Sequence, residues 1–459
     1  MADFLRHSYE HILTTPDSPF GNDTLHRIPF SNLLTSIVAN YSNGFVMAIN
    51  GAWGTGKTVF MHQWAQTLTN KGFRATIFNA WENDYFGEPT LALLSQFRYF
   101  FDEDRPLSEK AASLWKTLQK VPLCAIKGFV AKKMSDTIGE NAVKEISDTY
   151  NENNESDINY RESDIAKYVE QRIDFLSYKN ALIKFASAVA TEGKPLVFII
   201  DELDRCTPSY AVEVLEKIKH LFNIPNIVFC FSIDKEQLKK TIQGHYGAYN
   251  FNAEEYLRRF FDVELELPPI RYDEFADLMV AHFGLDQLIK SSDNLREFVK
   301  TSTLMAQKQH LTLRQLEKFY AHSKLVFSYY NATDSEWLIG VMLIINKFAN
   351  ELFLKIVDKE WNLNFYASSL KMLFDMEEYS TGANRLGALL YHIQVYLNND
   401  ENVSVPEDFK FDWTSDFTEK QLETMSWCYK AESRQSLRSV SLKRIISKIC
   451  FIEQFVAKP

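Results

Sequence analysis

Residues 45–58 read FVMAINGAWGTGKT, an apolar run followed by a glycine-rich turn that closes in lysine and threonine. Phe45–Asn50 has the composition of a strand buried on both faces, and Phe60, Trp64 and Leu68 recur at the four-residue interval of a helix. Between them, Gly51, Gly56, Lys57 and Thr58 hold the fixed places of G-x-x-x-x-G-K-[ST]. Glycines let a backbone wrap a phosphate with successive N–H groups turned inward, and the next helix adds the positive end of its dipole. In such a loop Lys57 reaches the β- and γ-phosphates and Thr58 offers a hydroxyl to Mg2+. Strand, loop and helix in that order predict a nucleotide site rather than a structural glycine turn.

A magnesium nucleotide also needs a carboxylate at the end of a neighbouring strand, on the edge where α/β sheets bind ligands. Leu196–Cys206 (LVFIIDELDRC) has that form. Asp201 suits the metal, held directly or through water, and Glu202 suits the polarisation of an attacking water. Asp204 and Arg205 have two readings: coupling to a neighbouring subunit, or salt bridges that cap the next helix.

A further strand, Ile227–Ile233, ends in Ser232 and is followed by Asp234. Ser232 either senses phosphate or only fills the strand end, while Asp234 reads as the N-cap of a helix over Lys235–Gln243. Two later arginines fall where they could meet a γ-phosphate. Arg259 stands with Arg258 at a helix end in YLRRFFDVELELPP (Tyr256–Pro269), and Arg314 opens a helix in LTLRQLEKF (Leu311–Phe319). Cations that reach the γ-phosphate stabilise transition-state charge, although a lone helical arginine is ordinarily solvated.

The surrounding pattern is α/β. Strands are expected at Phe45–Asn50, Phe73–Asn79, Leu196–Ile200 and Ile227–Ile233, with helices between them as right-handed crossovers require. From about residue 86 to 194 the rhythm breaks into a helical insertion, with helix expected at Leu91–Phe101, Ala111–Leu118 and Ile165–Ala190. The polar stretch Tyr150–Asp164 reads as an exposed loop or disordered link. The expected domains are a nucleotide-binding core over 1–270, a helical lid over 271–330 and a mainly helical C-terminal domain over 331–459.

Composition narrows the field. Glycine and proline are scarce, at 16 and 13 of 459 residues, so long helices should dominate. A net charge of −10 argues against a mainly electrostatic nucleic-acid binder. Five scattered cysteines form no C-x-x-C pair, and the amino terminus lacks the apolar block of a signal peptide. No run approaches the ~18 apolar residues of a membrane helix. A soluble, cytoplasmic protein is expected. The basic run Lys430–Lys448 reads as a solvated helix face before it reads as a contact for nucleic acid. Nor is there a guanine-specific N/T-K-x-D after the acidic strand.

These segments together resemble the KAP family of P-loop NTPases, within the wider AAA+/STAND-like group. The resemblance is carried by GAWGTGKT (Gly51–Thr58), FNAW (Phe78–Trp81), DELDRC (Asp201–Cys206), SID (Ser232–Asp234) and the run ending at Pro269. DTLHRIPF (Asp23–Phe30) also looks like the segment that closes over the base. The resemblance implies ATP and Mg2+, with Gly51, Trp53, Gly54, Thr55, Gly56, Lys57, Thr58, Val59 and Ser232 around the nucleotide and Thr58 and Asp201 at the metal. It implies Arg259 as a finger acting in trans and Arg314 as a cis arginine from the lid. Family members often carry a membrane hairpin in the insertion, which this chain lacks, and two aspartates where it has Asp201-Glu202. The expected function is an ATP-hydrolysing switch or assembly ATPase in anti-phage defence, self-associating or working with a partner effector. A nucleotide-gated scaffold and a nucleic-acid-stimulated motor are the alternatives.

Overall fold

A computed structural model describes residues 16–100, 108–119, 177–219, 224–329, 335–374, 382–398 and 405–453, with short interruptions at 22, 24, 42–43, 178, 191–192, 248–250, 361–362, 412–416 and 436–441. The expectations for Tyr150–Asp164 and the start of Ile165–Ala190 fall outside the described residues. Contacts divide the chain into two compact units, Met1–Pro269 and Ile270–Pro459.

The first unit is a parallel α/β sheet. Its strands are β1 (Phe45–Asn50), β2 (Arg74–Asn79), β3 (Leu196–Asp201), β4 (Ile227–Ile233) and β5 (Val263–Glu266), in the spatial order β2-β3-β4-β1-β5. Every pairing is parallel. The helices of this unit are α1 (Ile28–Asn40), α2 (Lys57–Asn70), α3 (Ala80–Asp84), α4 (Pro89–Gln96), α5 (Glu109–Gln119), α6 (Pro208–Lys219), α7 (Lys235–Tyr246) and α8 (Ala253–Leu257), with a further helical stretch at 177–189.

Alternation along the strands divides the core between two faces. Met47, Ile49, Val197, Ile199, Val228 and Cys230 pack with Leu34 and Val38 of α1 and with Phe60, Met61 and Trp64 of α2. Val46, Ala48, Phe198, Ile200, Phe229 and Phe231 pack on the other face, against Val214 and Leu215 of α6 and Leu238 and Ile242 of α7. A sheet covered on both sides needs strands apolar at every position, which is why β3 and β4 are fully buried along their length.

Several boundaries differ from the sequence reading, among them β2, which begins at Arg74 rather than Phe73, and α7, which runs on to Tyr246. The helix expected over Leu91–Phe101 stops at Gln96 and tightens into a 3-10 turn, Phe97–Phe100. The rings of Phe97 and Phe100 both sit against Phe198, at 5.5 and 6.2 Å, and the tighter turn brings both inward. Strand β3 runs one residue further than expected, so Asp201 is its last residue.

Among its described residues the second unit holds helices and no strand. Tyr272–Phe283, Ser292–Lys308 and Leu313–Tyr329 are followed by Glu336–Phe348, Asn350–Val357, Leu363–Leu370, Gly382–Asn398, Glu419–Gln435 and Leu442–Glu453. Among the described residues no single helix is long and apolar enough to cross a membrane. Glu336–Phe348 and Asn350–Val357 reach that test only as a pair, and they are bent by 117°. Cys206, Cys230, Cys428 and Cys450 lie outside any disulfide.

Candidate nucleotide site

The loop that leaves β1 turns on Gly54 and Gly56, whose φ angles of 78° and 84° lie in the left-handed region that a side chain disfavours. Gly56 is also the N-cap of α2, so no side chain caps the first amides of that 14-residue helix. Lys57 is buried and donates to the carbonyls of Gly51 (2.5 Å) and Ala52 (3.2 Å). Burial lowers its pKa, and the negative field of Asp204, Asp234 and Asp201 partly restores it. The ammonium therefore lies folded over its own loop, with carboxylates around it.

Opposite the loop, the strand register sets three polar residues side by side. Asn79 of β2 is the partner of Asp201 of β3, and Asp201 is the partner of Ser232 of β4. Residues level with one another in a parallel sheet share a face. Here it is the face of Ile49, the register partner of Ser232, two residues before the loop begins. Asp201 is 2% exposed and Ser232 fully buried, yet Oδ1 of Asp201 and Oγ of Ser232 have no hydrogen-bond partner. Buried polar atoms are nearly always satisfied, so the two lapses at the ends of neighbouring strands leave oxygens open to a ligand at this edge. Oxygen donors of this type suit Mg2+, which takes few protein ligands and completes its shell with water and phosphate. Asp201 and Thr58 are the residues that would hold it. Among the described residues no cluster of three His, Cys, Asp or Glu side chains could hold a metal unaided.

Glu202 begins the turn after β3 with φ 61°, left-handed for a residue that has a side chain. Its Oε1 is paired with Arg205 at 2.6 Å, and its Oε2 accepts from Asn79 at 3.3 Å. Burial raises its pKa, while Arg205 and the Asn79 hydrogen bond oppose that rise. Asn79 also caps α3 by accepting from the Glu82 amide, so the glutamate is tied to the start of that helix.

Asp204 departs from both sequence readings. It is buried and accepts the indole N–H of Trp53, joining the turn after β3 to the phosphate loop. Burial raises its pKa as well. Arg205 pairs with Glu202 and lies 6.0 Å from the Trp81 ring. Asp234 does cap α7, through the Gln237 amide at 3.2 Å, and its other oxygen accepts the Trp53 backbone N–H at 3.0 Å. Trp53 is thus held by the strand ends of β3 and β4 together.

The carboxyl edge of the sheet therefore brings together Gly51, Trp53, Gly54, Thr55, Gly56, Lys57, Thr58, Val59, Asp201, Glu202 and Ser232. It does not bring Arg259. The Asp262 amide donates to the Val46 carbonyl, five residues before Gly51 and so ~17 Å along the strand, and Arg259 precedes Asp262. Arg259 is exposed and Arg258 reaches only Glu254 and Glu255, at 3.9 and 3.8 Å. Arg314 belongs to the second unit, exposed in the first turn of Leu313–Tyr329.

Two participants escaped the sequence reading. Asn79 was visible within FNAW as a polar residue ending an apolar strand, the same signature that marks Asp201. Arg27 had no such signal. It lies 28 residues before Thr55, and its guanidinium donates to the carbonyls of Thr55 (2.7 Å) and Gly56 (3.1 Å).

A glycine loop feeding a helix, with a buried lysine and a strand-end aspartate on one edge of a parallel sheet, defines a P-loop nucleotide-binding α/β protein. Residues 27–329 match the KAP family P-loop domain, and the chain belongs to that family. No curated protein matches it.

Proposed function

We propose that the chain is a Mg2+-dependent ATPase whose hydrolysis drives a conformational or assembly change. The observation that carries this reading is the unpartnered pair Asp201 and Ser232, on the same sheet edge as the loop of the buried Lys57. In the proposed reaction the loop amides cradle the β-phosphate and Lys57 reaches the β- and γ-phosphates. Asp201 and Thr58 would hold Mg2+, which when bound would offset phosphate charge. Glu202 takes a proton from the attacking water, and Ser232 orients that water or a γ-phosphate oxygen. An ionised Glu202 is required, so Arg205 and Asn79 have to release it or share it.

Arg259 would act across a subunit boundary, as its distance from its own loop favours, and Arg314 would act from the helical region that follows the sheet. The wider proposal is a cytoplasmic switch of the KAP type in anti-phage defence, self-associating or acting through a partner effector. It rests on the resemblance to the KAP family given above. A lid at 271–330 and a separate domain at 331–459 belong to the same proposal.

One observation favours a second reading, a nucleotide-gated scaffold with little hydrolysis. Both oxygens of Glu202 are already engaged, and a carboxylate so engaged is a poor base. A nucleic-acid motor gains no such support, and its mark would be stimulation by DNA or RNA that falls steeply with salt. Phosphate release from MgATP separates the first two. The hydrolytic reading expects release by the wild type and its loss in Asp201→Asn. No release by a wild type that binds ATP would leave the scaffold.

A further inference from the structure

The segment before α1 is built around Arg27. Asp23 accepts the Arg27 amide at 2.7 Å and the Ile28 amide at 3.2 and 3.1 Å, which fixes the backbone where the side chain departs. The helix behind it is anchored too: Leu34 and Val38 share a core with Phe60 and Trp64 of α2, and the Trp64 indole donates to Thr35 at 3.1 Å. Arg27 is 2% exposed, an unusual position for a guanidinium. Burial lowers its pKa to about 10, partly opposed by Asp23, so it remains a cation at neutral pH.

What this buried cation touches is backbone. The Thr55 carbonyl belongs to the same peptide plane as the Gly56 N–H, and the Gly56 carbonyl to the same plane as the Lys57 N–H. In a planar trans peptide the carbonyl and the N–H point in opposite directions. Holding those two carbonyls on one rigid fork therefore turns the Gly56 and Lys57 amides to the other side, where a phosphate loop needs them. The Gly56 carbonyl also accepts the Phe60 amide of α2 at 3.1 Å, which leaves the helix axis and the guanidinium in agreement on its direction. Glycine supplies little conformational restraint of its own, so an external clamp at Gly56 has a clear task.

We propose that Arg27 is a positioning residue for the phosphate loop, a guanidinium clamp that orients and polarises the Gly56 and Lys57 amides toward the bound polyphosphate. The proposal rests on the nucleotide reading given above. The clamp acts on loop amides that hold the β-phosphate, so ADP and ATP should depend on it equally.

The test is equilibrium binding of ADP and of ATP to the folded full chain, for the wild type, Arg27→Lys and Arg27→Gln, with the melting temperature of each unliganded protein measured separately. Lysine keeps the charge but replaces the planar two-nitrogen fork by a single freely rotating ammonium nitrogen that does not fix the direction of two carbonyls, so the variant's affinity for both nucleotides should fall about tenfold. Glutamine should lose more. A residue with a merely structural role would lower the melting temperature and leave the affinity of the folded molecules unchanged. Wild-type binding with Arg27→Lys within twofold of it, or with unequal losses for ADP and ATP, overturns the clamp and leaves the nucleotide reading standing. A wild type that binds neither nucleotide removes both. Should the glutamine variant not fold, the lysine variant decides. Independently of any variant, ADP should move the amide NMR resonances of Gly56 and Lys57 in the wild type, and unmoved resonances would overturn the proposal.

Discussion

Replacing Glu202 by glutamine removes one charge and keeps the shape of the side chain. The amide retains an acceptor for Asn79 and loses the ion pair with Arg205, whose side chain is 27% exposed. A partly solvated pair of this kind is worth ~0.2–1 kcal/mol. Burial has also raised the pKa of Glu202, so the neutral amide is spared a desolvation cost that the carboxylate bears. The two effects oppose one another, and the melting temperature should move by no more than ~2–4 °C for a unit of this size. Catalysis should respond on another scale. Loss of a general base costs ~10²–10⁴ in rate. ATP binding, carried by the loop amides and Lys57, should be unchanged. The assay is single-turnover phosphate release at saturating MgATP, beside equilibrium binding and a thermal melt of the same preparation. A rate within about tenfold of the parent, with binding intact, would refute the assignment of Glu202 as the base.

Three other perturbations bear on separate parts of the structure. Arg205→Gln removes the charge that holds the pKa of Glu202 down against burial. Because the base must be ionised, the rate falls as pH drops through that pKa, and the acid limb of the pH–rate profile should shift to higher pH; an unmoved limb would contradict the pairing. Ser232→Ala deletes a buried hydroxyl that has no partner, so the unliganded melting temperature should hold or rise while phosphate release slows. A clear loss of unliganded stability would show that the hydroxyl is satisfied within the fold. In the second unit, a methyl at Gly387 would lie 2.4 Å from the Met425 carbonyl oxygen and 2.9 Å from its Cα. Gly387→Ala should therefore force the helices Gly382–Asn398 and Glu419–Gln435 apart at a cost of ~1–3 kcal/mol, read as a lowered melting temperature.

What could be read in the sequence was whatever depends on side-chain type at fixed spacing. The strands β1, β3 and β4 are apolar at nearly every position because both faces of the sheet are covered. The phosphate loop was equally plain, since Gly54 and Gly56 take the positive φ angles that a side chain disfavours. Asp204 was misread because the pattern that suggests a surface salt bridge is the same one that lets an acid turn inward to an indole. The helix expected to run through Phe101 ends early because two phenylalanines share one aromatic neighbour, a tertiary demand that overrides local periodicity. Arg27 lay hidden for a different reason. Its partners are backbone carbonyls, and a carbonyl leaves no mark in the sequence.

The central claim is that the loop Gly51–Thr58 and its buried lysine grip a nucleotide polyphosphate. Equilibrium binding of ATP with Mg2+ to the full chain, measured for the wild type and for Lys57→Ala, tests it most directly. Saturable binding by the wild type and a loss of at least about tenfold in the variant are predicted. Equal affinity in the two proteins, or none in the wild type, would contradict the account.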